Sequence, residues 1–283
     1  MSDWVQIKIC KKLSFWSVKS AEIPIFDSMS TIVFHLPSAG NLKNALENVV
    51  SSAHGAVKLG SWEMTCTEYK SFSSSSLSKS TSSKSPITST TPSSTIWRCT
   101  TSSNPNVCCF VHNNHALIGP YSDSEPTRSL EQFIINDKSD RYRESSAWSV
   151  QGVAIALENF SFRIGTLSLS GTTDVYDGVC FSIACNDAGA SQTEHFDQIQ
   201  KICCNIEAAL KEHFVGQNST TSNDGNGDEN ENETLTVPQL SNFDVEKILQ
   251  IQKTFNLPEQ SPLRYEALQM LEIVTNVRKE KNK

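Results

Sequence analysis

Five thiol and imidazole side chains lie close together in one stretch of the chain: Cys99, Cys108, Cys109, His112 and His115. Cysteine and histidine are ligands that zinc prefers, so this stretch raises the possibility of a metal site. The spacing argues against it, because it lacks a C-x-x-C knuckle and a strand–turn–strand hairpin separates Cys99 from Cys108. Cys108 and Cys109 are adjacent, so on a strand they point to opposite faces and do not share one ion. We predict a hairpin with buried thiols, and neither a metal nor another cofactor.

The chain carries no motif of a familiar catalytic class. It has no G-x-S-x-G nucleophile elbow, no P-loop and no H-E-x-x-H sequence. Several acids fall at predicted strand ends and turns, where solvated carboxylates are common; they are Glu144, Glu158, Asp174, Asp177 and Asp187. We therefore predict that the protein is not an enzyme.

The elements that would position any site are clearest in residues 147–187. Val153, Ile155 and Leu157 alternate with alanines, and two further runs with the same alternation follow. Period-2 alternation bounded by short polar turns predicts an antiparallel meander of three strands. Gly165 lies within the second run, where a single glycine usually marks a bulge or a bend.

Composition limits the classes of function. The chain has 283 residues, a formal net charge of −7 and a pI of about 5.4, so we expect no direct, specific binding to nucleic acid. No run of about 18 apolar residues occurs, so we expect no transmembrane helix. The N-terminus lacks an uninterrupted apolar segment, so we expect no signal peptide and reduced cysteines.

Two low-complexity tracts divide the chain. Residues 71–95 are rich in Ser, Thr, Lys and Pro, and residues 216–240 are rich in Asn and acids. Neither buries enough apolar surface to offset its ordering entropy, so we predict two disordered insertions. We predict one barrel-like domain over residues 1–215, and C-terminal helices over residues 241–283 that pack back on it.

Ser85 and Thr91 each precede a proline in the first tract, as proline-directed phosphorylation sites do. Serine-rich tracts also contain such dipeptides by chance, so both explanations stay open.

Helical patterns flank the strands. Ser38 is a candidate cap for a helix over about residues 39–50. Ser191 and Glu194 match a capping box, and the helix behind them is expected to end near Gly216. Two more helical patterns follow Ser241.

The remaining strands are short. A possible edge strand covers residues 4–10, other strands surround the Cys/His stretch, and a short helix is expected after Ser129. This order of elements predicts an α+β fold, with an antiparallel β-barrel-like curved sheet and flanking helices.

Two runs of the predicted meander carry a family resemblance. Residues 160–171 follow the pattern F-x-F/V-R/K-x-G-T/S-x-x-x-x-G, and residues 178–183 follow G-V/I/L-x-F/V-x-I/V. These runs resemble the central hairpin of the Mediator complex subunit 20 family, which belongs to the head module of the RNA polymerase II coactivator. The resemblance is best over residues 145–214 and extends to residues 60–69 and 263–274. The two insertions suit a fungal or protist branch.

The resemblance implies a non-enzymatic nuclear protein with a barrel-like antiparallel fold. It implies a heterodimer with Mediator subunit 18, tethered to the other head-module subunits by a C-terminal helix of subunit 8. Contact with RNA polymerase II is then indirect, and no membrane is involved.

For the partner interface, the candidates are Phe160, Phe162, Arg163 and Leu167 of the meander. Arg163 alternates with Phe162 and Ile164, so we expect it to face outward, toward solvent or a partner. The competing interpretation is that Phe160 and Phe162 belong to the core, since most large aromatic side chains on strands are buried.

Two other classes of function stay open. One is a barrel-fold phosphohydrolase, which needs inward-facing acidic and basic residues on many strands. The other is a DNA-binding saddle like that of the TATA-binding protein, which needs a concave, basic surface bearing phenylalanines.

Overall fold

The computed structural model of the chain describes residues 30–36, 41–71, 95–103, 105, 107–112, 115–120, 142–169, 176–187, 189–218, 237–255 and 262–281. Within these ranges the strands are β1 (Ser30–Leu36), β2 (Val57–Ser71), β3 (Thr95–Thr101), β4 (Val107–His112), β5 (His115–Pro120), β6 (Tyr142–Leu157), β7 (Phe160–Leu169) and β8 (Tyr176–Cys185). The helices are α1 (Leu42–Ser51), α2 (Gln192–Asn218), α3 (Val245–Phe255) and α4 (Pro262–Lys281).

The strands form one eight-stranded sheet in the order β1-β8-β7-β6-β2-β3-β4-β5. Every neighbouring pair is antiparallel, and the sheet curls into a half-barrel. The predicted α+β class with a curved, barrel-like antiparallel sheet is confirmed. The predicted meander is also present, because β6, β7 and β8 are adjacent both in the chain and in the sheet.

Two glycines face each other where β6 and β7 approach closely. Gly152 is paired with Gly165, and a Cβ on Gly152 would lie 1.8 Å from the carbonyl oxygen of Ile164. The absence of side chains allows this close backbone approach. The register between β6 and β7 runs unbroken at Gly165. The nearest irregularity lies against β8, between Thr166 and Ser168.

Successive side chains of a strand point to opposite faces of the sheet. Both faces carry apolar side chains that pack against helices. On one face, Phe162 and Ile164 of β7 pack with residues of α1 and α2. On the other, Leu167 of β7 packs with residues of α4. α4 contacts β1 at one edge of the sheet and β4 and β5 toward the other. A helix that reaches both edges of a curled sheet lies on its concave side, so α4 occupies the opening of the half-barrel.

Some helix boundaries differ from the sequence-based prediction. α1 begins at Leu42, after Asn41 at the N-cap position, and Ser38 lies outside the described residues. α2 begins with the predicted capping box, in which the Ser191 amide donates to Glu194 Oε2 at 2.6 Å. α2 then continues through Gly216 and ends at Asn218, two residues past the predicted stop.

Several sequence-based predictions fall outside the described residues. They concern the edge strand at residues 4–10, the helix after Ser129, most of the tract at 71–95 with Ser85 and Thr91, and most of the tract at 216–240.

Candidate functional site

The four predicted interface residues lie on β7, near the middle of the sheet. Phe162 is 1% exposed, and its ring is stacked on that of Phe181 with centroids 6.2 Å apart. Phe160 is half-buried and packs against the same cluster, whereas Leu167 is fully buried on the opposite face. The interpretation of Phe162 as core is therefore what the structure shows. A contribution of these residues to a partner interface stays a prediction.

Arg163 lies on the opposite face from Phe162, as the alternation predicted, but it does not project into open solvent. Its side chain is 18% exposed, and Nη1 forms an ion pair with Glu266 Oε2 on α4. Its guanidinium also lies over the ring of Trp62, 5.7 Å from the ring centroid. The expectation of a solvent-facing arginine is corrected, because α4 of the same chain covers this face.

A second charged group on the same face is Glu68 of β2, which is 4% exposed. Its Oε2 accepts hydrogen bonds from Ser146 Oγ and Arg278 Nη1, each at 2.9 Å, and lies 3.4 Å from Lys70 Nζ. Burial acts to raise the pKa of Glu68, but the hydrogen bonds from Ser146 and Arg278 and the charges of Arg278 and Lys70 outweigh it. The pKa therefore lies below its ordinary value, and the carboxylate is ionised at neutral pH.

The third polar contact of α4 reaches the edge strand β1. The Val33 amide donates to Gln269 Oε1 at 2.9 Å, and Gln269 Nε2 donates to the Thr31 carbonyl at 2.8 Å. These backbone groups point away from β8, toward the open side of β1. An added strand would bind on that side. The Gln269 amide thus takes the place of a neighbouring peptide group and blocks this part of the edge.

Sequence reasoning did not identify Glu68, Glu266, Gln269 or Arg278. A signal was present in α4, because Glu266 and Gln269 are one helical turn apart and lie among apolar residues of the sequence. Residues 265–271 are all buried, so this part of α4 is enclosed on all sides. A polar residue in such a helix requires a partner.

In the structure, the side chains of the Cys/His stretch lie on opposite faces of the sheet, as predicted for a hairpin. Cys109 faces the concave side with Cys99, whereas Cys108 belongs to a small cluster with Tyr69 and Phe110 on the opposite face. His112 and His115 are paired across the β4–β5 turn. In the ranges that the structure describes, no group of three or more His, Cys, Asp or Glu residues is arranged to hold a metal ion.

A groove of about 640 Å³ lies where α3 and α4 meet the β3–β4 hairpin. Its apolar lining consists of Trp97, Val111, Ile251, Phe255, Leu268 and Leu271. The ionisable side chains at its edge are Glu272 and Lys279, and Glu272 is ion-paired with Lys247. Thr95, Thr275 and Asn276 also line the groove, so it offers both apolar and uncharged polar groups.

Among the described residues, none of the helices combines the length and the apolar character needed to cross a membrane.

The fold and these contacts define an α+β protein whose curled antiparallel sheet is filled by its own last helix. No protein-family model and no curated protein matches the chain.

Comparison with solved structures finds low similarity. A conserved hypothetical protein from Pyrococcus furiosus is 9% identical with a TM-score of 0.35, covering 63% of this chain and 90% of that chain. A protein from Pyrococcus horikoshii is 10% identical with a TM-score of 0.33, covering 65% and 90%. A chain of the Schizosaccharomyces pombe Mediator head module is 9% identical with a TM-score of 0.28, covering 68% and 96%. At these values the likenesses carry no argument about activity or partners.

Proposed function

We propose that this protein is a non-enzymatic, nuclear subunit of the Mediator coactivator, equivalent to head-module subunit 20. In this role it binds subunit 18 as a heterodimer and contacts the C-terminal helix of subunit 8. Through the head module it helps to link transcription regulators to RNA polymerase II. The proposal rests on the sequence resemblance of residues 160–171 and 178–183.

The positions of the two matching runs support the proposal. Residues 160–169 of the first run form β7, and the second run lies in the middle of β8, the neighbouring strand in the sheet. Phe162 packs in the core on the convex face of the sheet, and Arg163 forms an ion pair with Glu266 of α4. Gly165 permits the close approach of β6. The pattern therefore consists of residues that specify this sheet and the place of its last helix. This is what a scaffold protein requires, whereas an enzyme pattern would place reactive groups at an open surface.

The packing of α4 in the concave face is the structural observation that opposes the two alternative functions. A DNA-binding saddle presents that face to the duplex, and a barrel phosphohydrolase needs charged groups open to substrate. Here the charged side chains Glu68 and Arg163 of this face are already paired with Arg278 and Glu266 of α4. This arrangement favours function at the outer surface and opposes both alternatives.

We propose that the meander and its neighbouring strands supply the partner face. Phe162 and Leu167 are buried, so their contribution is to hold β7 in place. Phe160 retains partial exposure and is the candidate that can touch another chain directly, whereas Arg163 is held by Glu266 and Trp62 beneath α4.

The decisive experiment is affinity purification of the tagged full chain from a nuclear extract of its own organism, followed by identification of the bound proteins. We expect subunits 18 and 8 together with other head-module subunits. Co-expression with the cognate subunit 18 is the direct form of the test. A folded, monomeric chain that does not co-purify with that subunit overturns the assignment.

A matched pair of variants tests whether Phe160 belongs to the proposed partner interface. Phe160→Ala removes half-buried apolar surface from β7 and is expected to weaken recovery of subunit 18. Val215→Ala removes an apolar side chain that is 71% exposed on α2 and is expected to leave recovery unchanged. Equal recovery with both variants would remove Phe160 from the interface.

A further inference from the structure

Three thiols form a row across neighbouring strands on the concave face. Cys66 of β2 is paired directly with Cys99 of β3, and Cys99 is paired directly with Cys109 of β4. All three are reduced, and each has none of its surface exposed. Cys99 therefore has two possible disulfide partners, one on each side.

The alternation of hydrogen-bonded and non-hydrogen-bonded residue pairs in the sheet distinguishes the pair Cys66–Cys99 from the pair Cys99–Cys109. The Ser102 amide donates to the Glu63 carbonyl at 2.8 Å, so residues 63 and 102 form a hydrogen-bonded pair. Such pairs alternate along an antiparallel ladder with non-hydrogen-bonded pairs. The register that continues from this pair, Met64 to Cys66, is unbroken, so Cys66 and Cys99 form a non-hydrogen-bonded pair.

The backbone groups of Cys99 consequently point toward β4. Since that register is also unbroken, Cys99 and Cys109 form a hydrogen-bonded pair. The Cα atoms of a hydrogen-bonded pair are about 5.5 Å apart, whereas those of a non-hydrogen-bonded pair are about 4.5 Å apart with their side chains closer. A disulfide requires closely spaced Cβ atoms, so the geometry favours Cys66 with Cys99.

We propose that Cys66 and Cys99 form a cross-strand disulfide when the chain is exposed to a small disulfide oxidant such as oxidised glutathione. One thiolate attacks the oxidant, forms a mixed disulfide and releases one reduced thiol. The other protein thiol then attacks the mixed disulfide, so that the protein disulfide forms and a second reduced thiol leaves. Both protons pass to solvent or to the released thiols, and the oxidant takes up the two electrons.

Opening of the concave face controls the rate of this reaction. The hydrogen bond with Cys66 and burial raise the pKa of the Cys99 thiol, so the closed protein offers little thiolate. α4 covers the row, with Leu268, Leu271 and Val274 in the same cluster. Oxidation therefore follows displacement of α4, and the bond formed joins β2 to β3. This reaction does not depend on membership of the Mediator complex.

The test treats the purified full chain with oxidised glutathione in graded, sub-denaturing urea, then blocks remaining thiols and maps peptides by mass spectrometry. We expect a peptide linking Cys66 to Cys99, formed more slowly than the modification of exposed Cys204 and accelerated by urea. Cys109→Ala is the matched buried control and is expected to keep the linkage, whereas Cys99→Ala loses it.

Two results would overturn the proposal. One is a main product that links Cys99 to Cys109. The other is free Cys66 and Cys99 at a urea concentration where amide exchange shows that α4 has opened. Both are measured on the wild-type chain, so misfolding of a variant affects neither result.

Discussion

Arg163 of β7 and Glu266 of α4 form an ion pair inside the concave face of the sheet, although the two residues are 103 positions apart in the chain. Trp62 of β2 lies beneath the guanidinium and limits its access to water. This contact ties the centre of the sheet to the last helix. It also explains why an arginine is flanked by apolar strand residues.

Arg163→Met is expected to lower the free energy of unfolding by about 3 kcal/mol, because Glu266 is left as a buried, unpaired charge. Urea denaturation monitored by circular dichroism measures the loss. Adding Glu266→Gln to this variant should recover part of the stability, since the uncompensated charge is then removed. Lys247→Ala breaks the exposed pair with Glu272 and serves as the control, with an expected cost below about 1 kcal/mol. Equal costs for the two single variants would contradict the burial argument.

Glu68 predicts an acid-dependent loss of stability. Its pKa is lower in the folded chain than the ordinary value of 4.5, so its ionised form stabilises the fold above that pH. This contribution disappears as the pH falls below 4.5 and through the folded-state pKa. Glu68→Gln should therefore be less stable than the wild type at neutral pH, and the difference should shrink in acid.

Urea denaturation between neutral and acidic pH measures that difference. Glu63→Gln changes an exposed acid on the same strand and is the matched control. A stability gap between Glu68→Gln and the wild type that stays constant with pH would show that ionisation of Glu68 does not stabilise the fold.

Gln269→Leu is expected to cost about 2 kcal/mol, because the Val33 amide and the Thr31 carbonyl lose their partner. It should also speed amide exchange at Val33 and increase self-association through the uncovered edge of β1. Hydrogen exchange and light scattering measure these two effects. Gln250→Leu, at an exposed position of α3, controls for the added apolar surface. If Gln269→Leu leaves the amide exchange rate of Val33 unchanged, Gln269 does not block the edge of β1.

Gly152→Ala is expected to destabilise the chain by about 3 kcal/mol or more, because the new methyl group meets the backbone of β7 rather than a movable side chain. The thermal midpoint and the soluble yield report the effect. Gly189→Ala is the control, since a Cβ there lies 3.6 Å from its nearest neighbour, Asp187 Oδ1. Similar midpoints for both variants would refute the close approach of β6 and β7.

Local patterns in the sequence were sufficient to predict several strands and the start of one helix. Alternation along residues 153–183 predicted β6, β7 and β8, because the two-residue period of a strand depends only on neighbouring positions. The capping box at Ser191 predicted the start of α2 for the same reason. α2 ends two residues past the predicted stop, since Gly216 is compatible with a helix interior at modest cost.

The sequence by itself determined the elements, the alternation that places Arg163 opposite Phe162, and the separation of Cys108 from Cys109. Only the tertiary structure decided what each face meets. Glu68 and Arg278 are 210 residues apart, and Gln269 bonds to backbone groups 236 and 238 residues away. Such contacts exist because the sheet curls and α4 enters its concave side, and no local period or cap encodes that arrangement.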